Sequence, residues 1–261
     1  SLTHSRVGRV IQAFGEARGG YSVDRVIVDP ELIRKFLRHC RELRLSGTDF
    51  ELNWELMNAR KSGQLSHLPR TKRTTFRDSD AFEDASELAI RFLQRSKNLS
   101  LSLDQIICDP DLAEEFGGYA RRLAPGFTAL QYRWAALGLR KAGRLKAKKD
   151  KINAIPQLES LGYVRSLSLG KVPGDSGLYL LSTSDKAVFM SQTENLRERL
   201  ERHMQVSSSR GLPDWLWPSE REPLQLGLAA LPGTPRSLRQ AMEVVLLREY
   251  NPILNYQRKA A

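Results

Sequence analysis

Through the first 150 or so residues apolar side chains recur at helical spacing, and the pattern predicts helices at roughly 4–17, 31–44, 49–61, 81–97, 111–123 and 128–141. Their ends are legible. Asp29-Pro30 and Asp109-Pro110 each set a capping carboxylate before a proline suited to the first helical turn. Gly63 and Gly143 follow the third and sixth helices, where a residue with positive φ is usual. From about Ile155 the period shortens. Residues 177–181 and 187–190 read as the strands of a hairpin around a 182–185 turn. A helix follows with Thr193 as its cap and Leu196 and Leu200 on its apolar face, then a third strand over 224–231 and a second helix over 236–250. The expected fold class is α+β: two tandem three-helix units, then β-β-α-β-α.

A self-comparison at a shift of 80 residues brings Ser22-Val-Asp-Arg-Val-Ile-Val-Asp-Pro-Glu-Leu32 onto Ser102-Leu-Asp-Gln-Ile-Ile-Cys-Asp-Pro-Asp-Leu112 without a gap. The match runs on through Phe36 with Phe116, Leu43 with Leu123 and Trp54 with Trp134. It closes on Arg60-Lys-Ser-Gly-Gln-Leu65 with Arg140-Lys-Ala-Gly-Arg-Leu145. The expected domains are therefore helical modules at 1–78 and 79–152 and a mixed unit at 153–261. Trp54 and Trp134 fall mid-helix at core spacing and are assigned to packing. The two cysteines, Cys40 and Cys108, lie opposite Ala120 and Val28 in the alignment, which predicts buried, reduced thiols rather than a disulfide or a metal knuckle.

Charge changes the picture next. The 41 Lys and Arg exceed the 30 Asp and Glu, for a net +11, which favours an anionic polymer as partner. Residues 1–150 carry +8 of that excess. Seven cations fall within twelve residues at Arg140, Lys141, Arg144, Lys146, Lys148, Lys149 and Lys151, and the first copy trails Arg70, Lys72, Arg73 and Arg77. A three-helix unit closing on Arg60-Lys61 or Arg140-Lys141 resembles, loosely, helix-turn-helix and winged-helix modules. All seven cations of that run, together with Arg60, Lys61, Lys72 and Arg73, are expected to contact phosphates; the plainer alternative is a helical scaffold with solvated charges. No stretch approaches eighteen apolar residues, so the expectation is a soluble protein of the cytoplasm, nucleoid or nucleus with no membrane partner.

The C-terminal hundred residues resemble the GIY-YIG endonucleases. Those enzymes open with Gly-Ile-Tyr, place Tyr-Ile-Gly about ten residues on, and follow it with a helix carrying an arginine. The corresponding residues here are Gly177-Leu178-Tyr179, then Phe189-Met190-Ser191, with Arg199 and His203 on the next helix. The family's later glutamate, leucine-isoleucine pair, proline and asparagine correspond to Glu243, Leu246-Leu247, Pro252 and Asn255. The resemblance implies that Tyr179 orients or deprotonates the attacking water, Arg199 holds the scissile phosphate and His203 supports nucleophile or phosphate. It also implies that Glu243 binds Mg²⁺ or Mn²⁺ and that Asn255 braces the site. Arg199 and His203, four apart, share a helix face, and a carboxylate is the donor that hard Mg²⁺ takes. Plainer readings stand beside these. His203 suits a helix end, Arg199 has the charged neighbours Arg197 and Arg202, Tyr179 suits a core, and Glu249 rivals Glu243.

These readings lead to a metal-dependent DNA endonuclease whose helical repeats hold double-stranded DNA, with Tyr179, Arg199 and Glu243 converging in a shallow, solvent-open site. A second copy of the chain, or a region upstream of Ser1, is a further candidate partner. Phe189 and Ser191 depart from the family pattern. Loss of the second tyrosine's hydroxyl leads to the alternative, a weak or inactive GIY-YIG-like targeting protein. Trp215 and Trp217 lie outside the shared motif, as a core lid or a contact edge.

Overall fold

The computed structural model describes residues 4–141, 154–206, 212–217 and 222–257. Helices α1 (Arg6–Ala17), α2 (Val23–Val28), α3 (Pro30–Glu42) and α4 (Asp49–Lys61) are answered about eighty residues on by α5 (Asp80–Ser96), α6 (Leu103–Cys108), α7 (Pro110–Leu123) and α8 (Ala129–Lys141). Each copy thus has four helices where the periodicity predicts three. The extra pair, α2 and α6, are six residues long, too short to display a period. Serines start them: the Ser22 hydroxyl accepts from the Arg25 amide and that of Ser102 from the Gln105 amide. The predicted caps end them. Asp29 and Asp109 take extended backbone, and their carboxylates accept from the two amides that open α3 and α7. Thr48 with Glu51, and Thr128 with Gln131, form reciprocal boxes ahead of α4 and α8. Gly63 has the expected positive φ, +76°; Gly143 lies outside the described residues.

One apolar core runs through both copies, from Phe14, Phe36 and Leu56 to Phe82, Phe116 and Tyr132. Cys40 and Cys108 are fully buried within it, and burial pushes both thiols up to about 12, so they stay protonated. Trp54 and Trp134 pack against the same core. Charges close the seam between the copies. Arg60 and Arg140 each pair with the aspartate of their own copy, Asp24 at 3.2 Å and Asp104 at 2.7 Å. Arg140 also reaches Asp24 at 3.1 Å, and Lys61 reaches Asp104 at 2.8 Å.

The remaining chain forms an antiparallel sheet of β1 (Glu159–Tyr163), β2 (Gly177–Ser182), β3 (Ala187–Thr193) and β4 (Gln225–Ala230), in the order β1-β4-β2-β3. The class is α+β, as expected. Strand β1 was not foreseen, because its Glu-Ser-Leu-Gly-Tyr is mostly exposed and carries no alternation. Helix α9 (Leu196–Gln205) covers one face of the sheet, with Leu196 and Leu200 against Leu181, Phe189 and Leu226. Helix α10 (Arg236–Tyr250) covers the other, with Met242 and Leu246 against Leu178, Leu180 and Met190. The cap of α9 is Asn195, not Thr193, which is the last residue of β3.

Helix α5 belongs to both halves. Its Phe82 and Ile90 lie in the core of the repeats, while Ala85 and Leu88 join the α9 face of the sheet. Farther along, Phe92 of α5 and Tyr119 of α7 hold the Trp215 ring at 4.8 and 5.2 Å, and Arg122 stacks on it at 4.5 Å. Trp215 is thus spent on an internal contact. No helix among the described residues is long and apolar enough to cross a membrane.

Candidate active site

Side chains alternate along β2, so Gly177, Tyr179 and Leu181 turn to the α9 face. Gly177 is required there by contact rather than by backbone angle. A Cβ at that position would lie 2.2 Å from the Ala229 carbonyl oxygen of β4 and 2.8 Å from Leu196 Cδ1 at the start of α9. Two residues on, the Tyr179 ring reaches under α9, where Arg199 and His203 sit one turn apart. Tyr179 Oη lies 2.9 Å from His203 Nε2 and accepts from Arg199 Nη1 at 3.3 Å. The three residues that the resemblance assigns to water and phosphate therefore meet at one point. Phe189, opposite Leu181 on β3, places its ring edge-on to Tyr179 at 6.3 Å. Ser191, opposite Tyr179, offers its hydroxyl oxygen to Arg199 Nη1 at 3.3 Å.

This cluster is not solvent-open, and that expectation is corrected. Tyr179 has no exposed surface, and the side chain of Arg199 retains 2%. The cover is α5. Asp80 accepts from Arg199 Nη2 through its backbone oxygen at 2.7 Å and its carboxylate at 3.1 Å, and from the Thr193 hydroxyl at 2.8 Å. Asp84 is wholly buried; Arg202 donates to both its oxygens at 2.7 and 3.2 Å, Arg199 Nε lies at 3.6 Å and His203 Nε2 at 3.4 Å. Burial alone would raise the Asp84 carboxyl, but Arg199, Arg202 and His203 outweigh it and hold it well below the usual carboxylate range. Burial pushes the Tyr179 phenol above its ordinary value. Burial also drives His203 down to about 3, against the pull of Asp84, so the ring is neutral. The result is a charge-balanced network of Arg199 and Arg202 with Asp80 and Asp84.

Glu243 and Asn255 lie at the outer edge of β3 rather than on the tyrosine's face. Asn255 accepts from the Met190 amide at 2.8 Å and donates to the Met190 carbonyl at 2.7 Å and to Glu87 at 3.2 Å. It completes the edge strand much as another strand would. Glu243 Oε2 accepts from the Gln192 amide at 3.0 Å. The same glutamate lines a cleft of about 130 Å³ with Glu83, Asp84, Glu87, Ser191 and Gln192. A carboxylate there is the donor that Mg²⁺ takes, and that ion needs only one or two. Among the described residues no group of three or more ligating side chains is arranged to hold a metal. The rival Glu249 is exposed on the last turn of α10.

The cations expected to meet phosphate divide into three sets. Arg60, Lys61 and Arg140 are engaged with Asp24 and Asp104 at the seam. Lys72 and Arg73 are exposed on the segment joining the copies, with Lys72 over the Tyr21 ring at 5.2 Å. Arg144, Lys146, Lys148, Lys149 and Lys151, and the side chain of Lys141, lie outside the described residues. Asp80 and Asp84 were missed by sequence reasoning, though a signal existed. Asp80, Glu83, Asp84 and Glu87 form an acidic stripe at helical spacing, whereas eighty residues earlier the chain has Thr3, His4 and Val7 in place of the last three. Comparison with protein-family models, with curated proteins and with solved structures finds no match.

Proposed function

We propose that the chain is a metal-dependent DNA endonuclease of the GIY-YIG type, in which the helical repeats carry the duplex and the sheet carries the chemistry. The observation that supports this reading best is the meeting of Tyr179, Arg199 and His203 at one point of the α9 face. Arg199 brings fixed positive charge to where it develops on the phosphorane oxygens. Tyr179 Oη, held between Arg199 and His203, orients the attacking water, and His203, 2.9 Å from that hydroxyl, supports it. Glu243 is the residue that would hold Mg²⁺, and the ion supplies Lewis acidity and a more acidic water. Lys72 and Arg73 are exposed cations free of the seam and suited to the duplex backbone. One such site cuts one strand, so double-strand cleavage requires a second copy or a second nick.

A second reading, a non-catalytic DNA-targeting protein on the same scaffold, is favoured by the burial of Arg199 under two aspartates and by the missing hydroxyl at Phe189. Incubation of supercoiled plasmid with Mg²⁺, Mn²⁺ or EDTA separates the two. Cleavage is expected with metal only. Arg199→Ala and Glu243→Ala, each checked for folding by circular dichroism, should lower it by roughly 10²–10³. If wild type cuts nothing in either metal and Glu243→Ala binds DNA as wild type does, the targeting reading replaces the enzyme.

A further inference from the structure

The surface that the nuclease reading gives to the phosphodiester is already filled by a carboxylate ladder. Asp80 takes Arg199, Glu83 takes Arg236 at the start of α10, and Asp84 takes Arg202 and Arg199. Glu87 continues the row, accepting from the Tyr256 amide at 2.9 Å and from Asn255. At 1.5 Å of rise per residue these four anions occupy roughly 10 Å of helix axis, about one per 3.5 Å. The row is no requirement of the repeat, because eighty residues earlier the sequence has Thr3, His4 and Val7 in place of Glu83, Asp84 and Glu87. It appears only in the copy that faces the sheet.

Resting on the nuclease reading, we propose that the acidic face of α5 stands in for a nucleic-acid backbone. It occupies a phosphate-binding track of Arg199, Arg202 and Arg236, and a DNA strand engages that track by displacing it. With 2% of its side chain exposed, Arg199 meets no external anion while α5 is docked. The polar half of the contact is an exchange of one polyanion for another. The apolar half, Ala85 and Leu88 against the sheet's core, is what the arriving strand has to outcompete. Helix α5 moves as part of the helical half, since its other face is buried in the repeats' own core.

The test measures binding in EDTA, so that no cleavage is needed. Asp80→Asn with Glu83→Gln neutralises two partly exposed rungs and leaves Asp84 in place. Glu31→Gln with Glu42→Gln, on the exposed side of α3, makes the same change in net charge away from the track. A 25-base-pair duplex should bind the first variant about tenfold more tightly than the second. In wild type, saturating duplex should speed amide hydrogen exchange in α5 and α9. Joining Glu83→Cys to Arg236→Cys with a short bismaleimide should abolish that exchange change; the buried thiols of Cys40 and Cys108 leave the reagent to the introduced pair. Equal affinity in the two charge-matched variants, or exchange in α5 and α9 unmoved by saturating duplex, overturns the proposal. Plasmid left uncut while the exchange change is seen sinks the nuclease reading alone; plasmid cut with exchange unmoved sinks the stand-in alone.

Discussion

His203 reports whether α5 is docked, through the pH dependence of stability. Its ring is buried beside Tyr179 and Asp84, and burial lowers it from 6.5 to about 3. A group whose folded value is depressed contributes its stability above the unfolded value and loses it as pH falls towards the folded one, so the window is 6.5 down to about 3. At pH 5 the unfolded ring is almost fully protonated and the folded ring is not. At about 1.4 kcal/mol per pH unit, this one group costs the fold roughly 2 kcal/mol between pH 7.5 and 5. Asp84, held below the carboxylate range, titrates outside that interval and leaves it clean. The perturbation is His203→Gln, which keeps an acceptor for Tyr179 and removes the titration. The assay is urea unfolding at pH 7.5 and 5.0, followed by far-UV dichroism. With a urea slope near roughly 3 kcal/mol per molar for a chain this long, the wild-type midpoint should fall about 0.7 M further than the variant's. The other histidines are common to both proteins and cancel. Equal falls would mean that His203 titrates as an exposed residue, and the docked, charge-balanced site would be refuted.

Two further outcomes follow from close contacts. Gly177→Ala sets a Cβ against the Ala229 carbonyl oxygen at 2.2 Å and should cost at least roughly 3 kcal/mol by forcing β2 from β4, read as a lowered melting temperature. Asn255→Ala strips partners from the Met190 amide and carbonyl at the β3 edge; it should cost roughly 2–3 kcal/mol and speed exchange of the Met190 amide, and an unchanged exchange rate would deny Asn255 its role.

Much of this protein is written locally. Asp-Pro caps, reciprocal Thr boxes and the eighty-residue repeat fix where α3, α4, α7 and α8 begin, because a cap is satisfied within three residues of itself. The four-residue step of α9 puts Arg199 and His203 on one helix face before any tertiary contact is known, while only the family resemblance joins Tyr179 to them. Six-residue helices escape such reading, since fewer than two turns carry no period. Partners escape it for a different reason. Periodicity says which face is buried and charge says what sign it bears, but neither says what arrives opposite. Arg60, Lys61 and Arg140 have the composition of a phosphate-binding edge, and the fold gives them to Asp24 and Asp104 at the seam of the repeat, Lys61 and Arg140 reaching across it. Arg199 has the composition of a phosphate clamp, and the fold gives it Asp80 and Asp84, which lie 119 and 115 residues earlier in the chain. Only the packing of α5 between the two halves makes that choice, because a buried cation takes whichever anion the surrounding apolar surfaces bring to it.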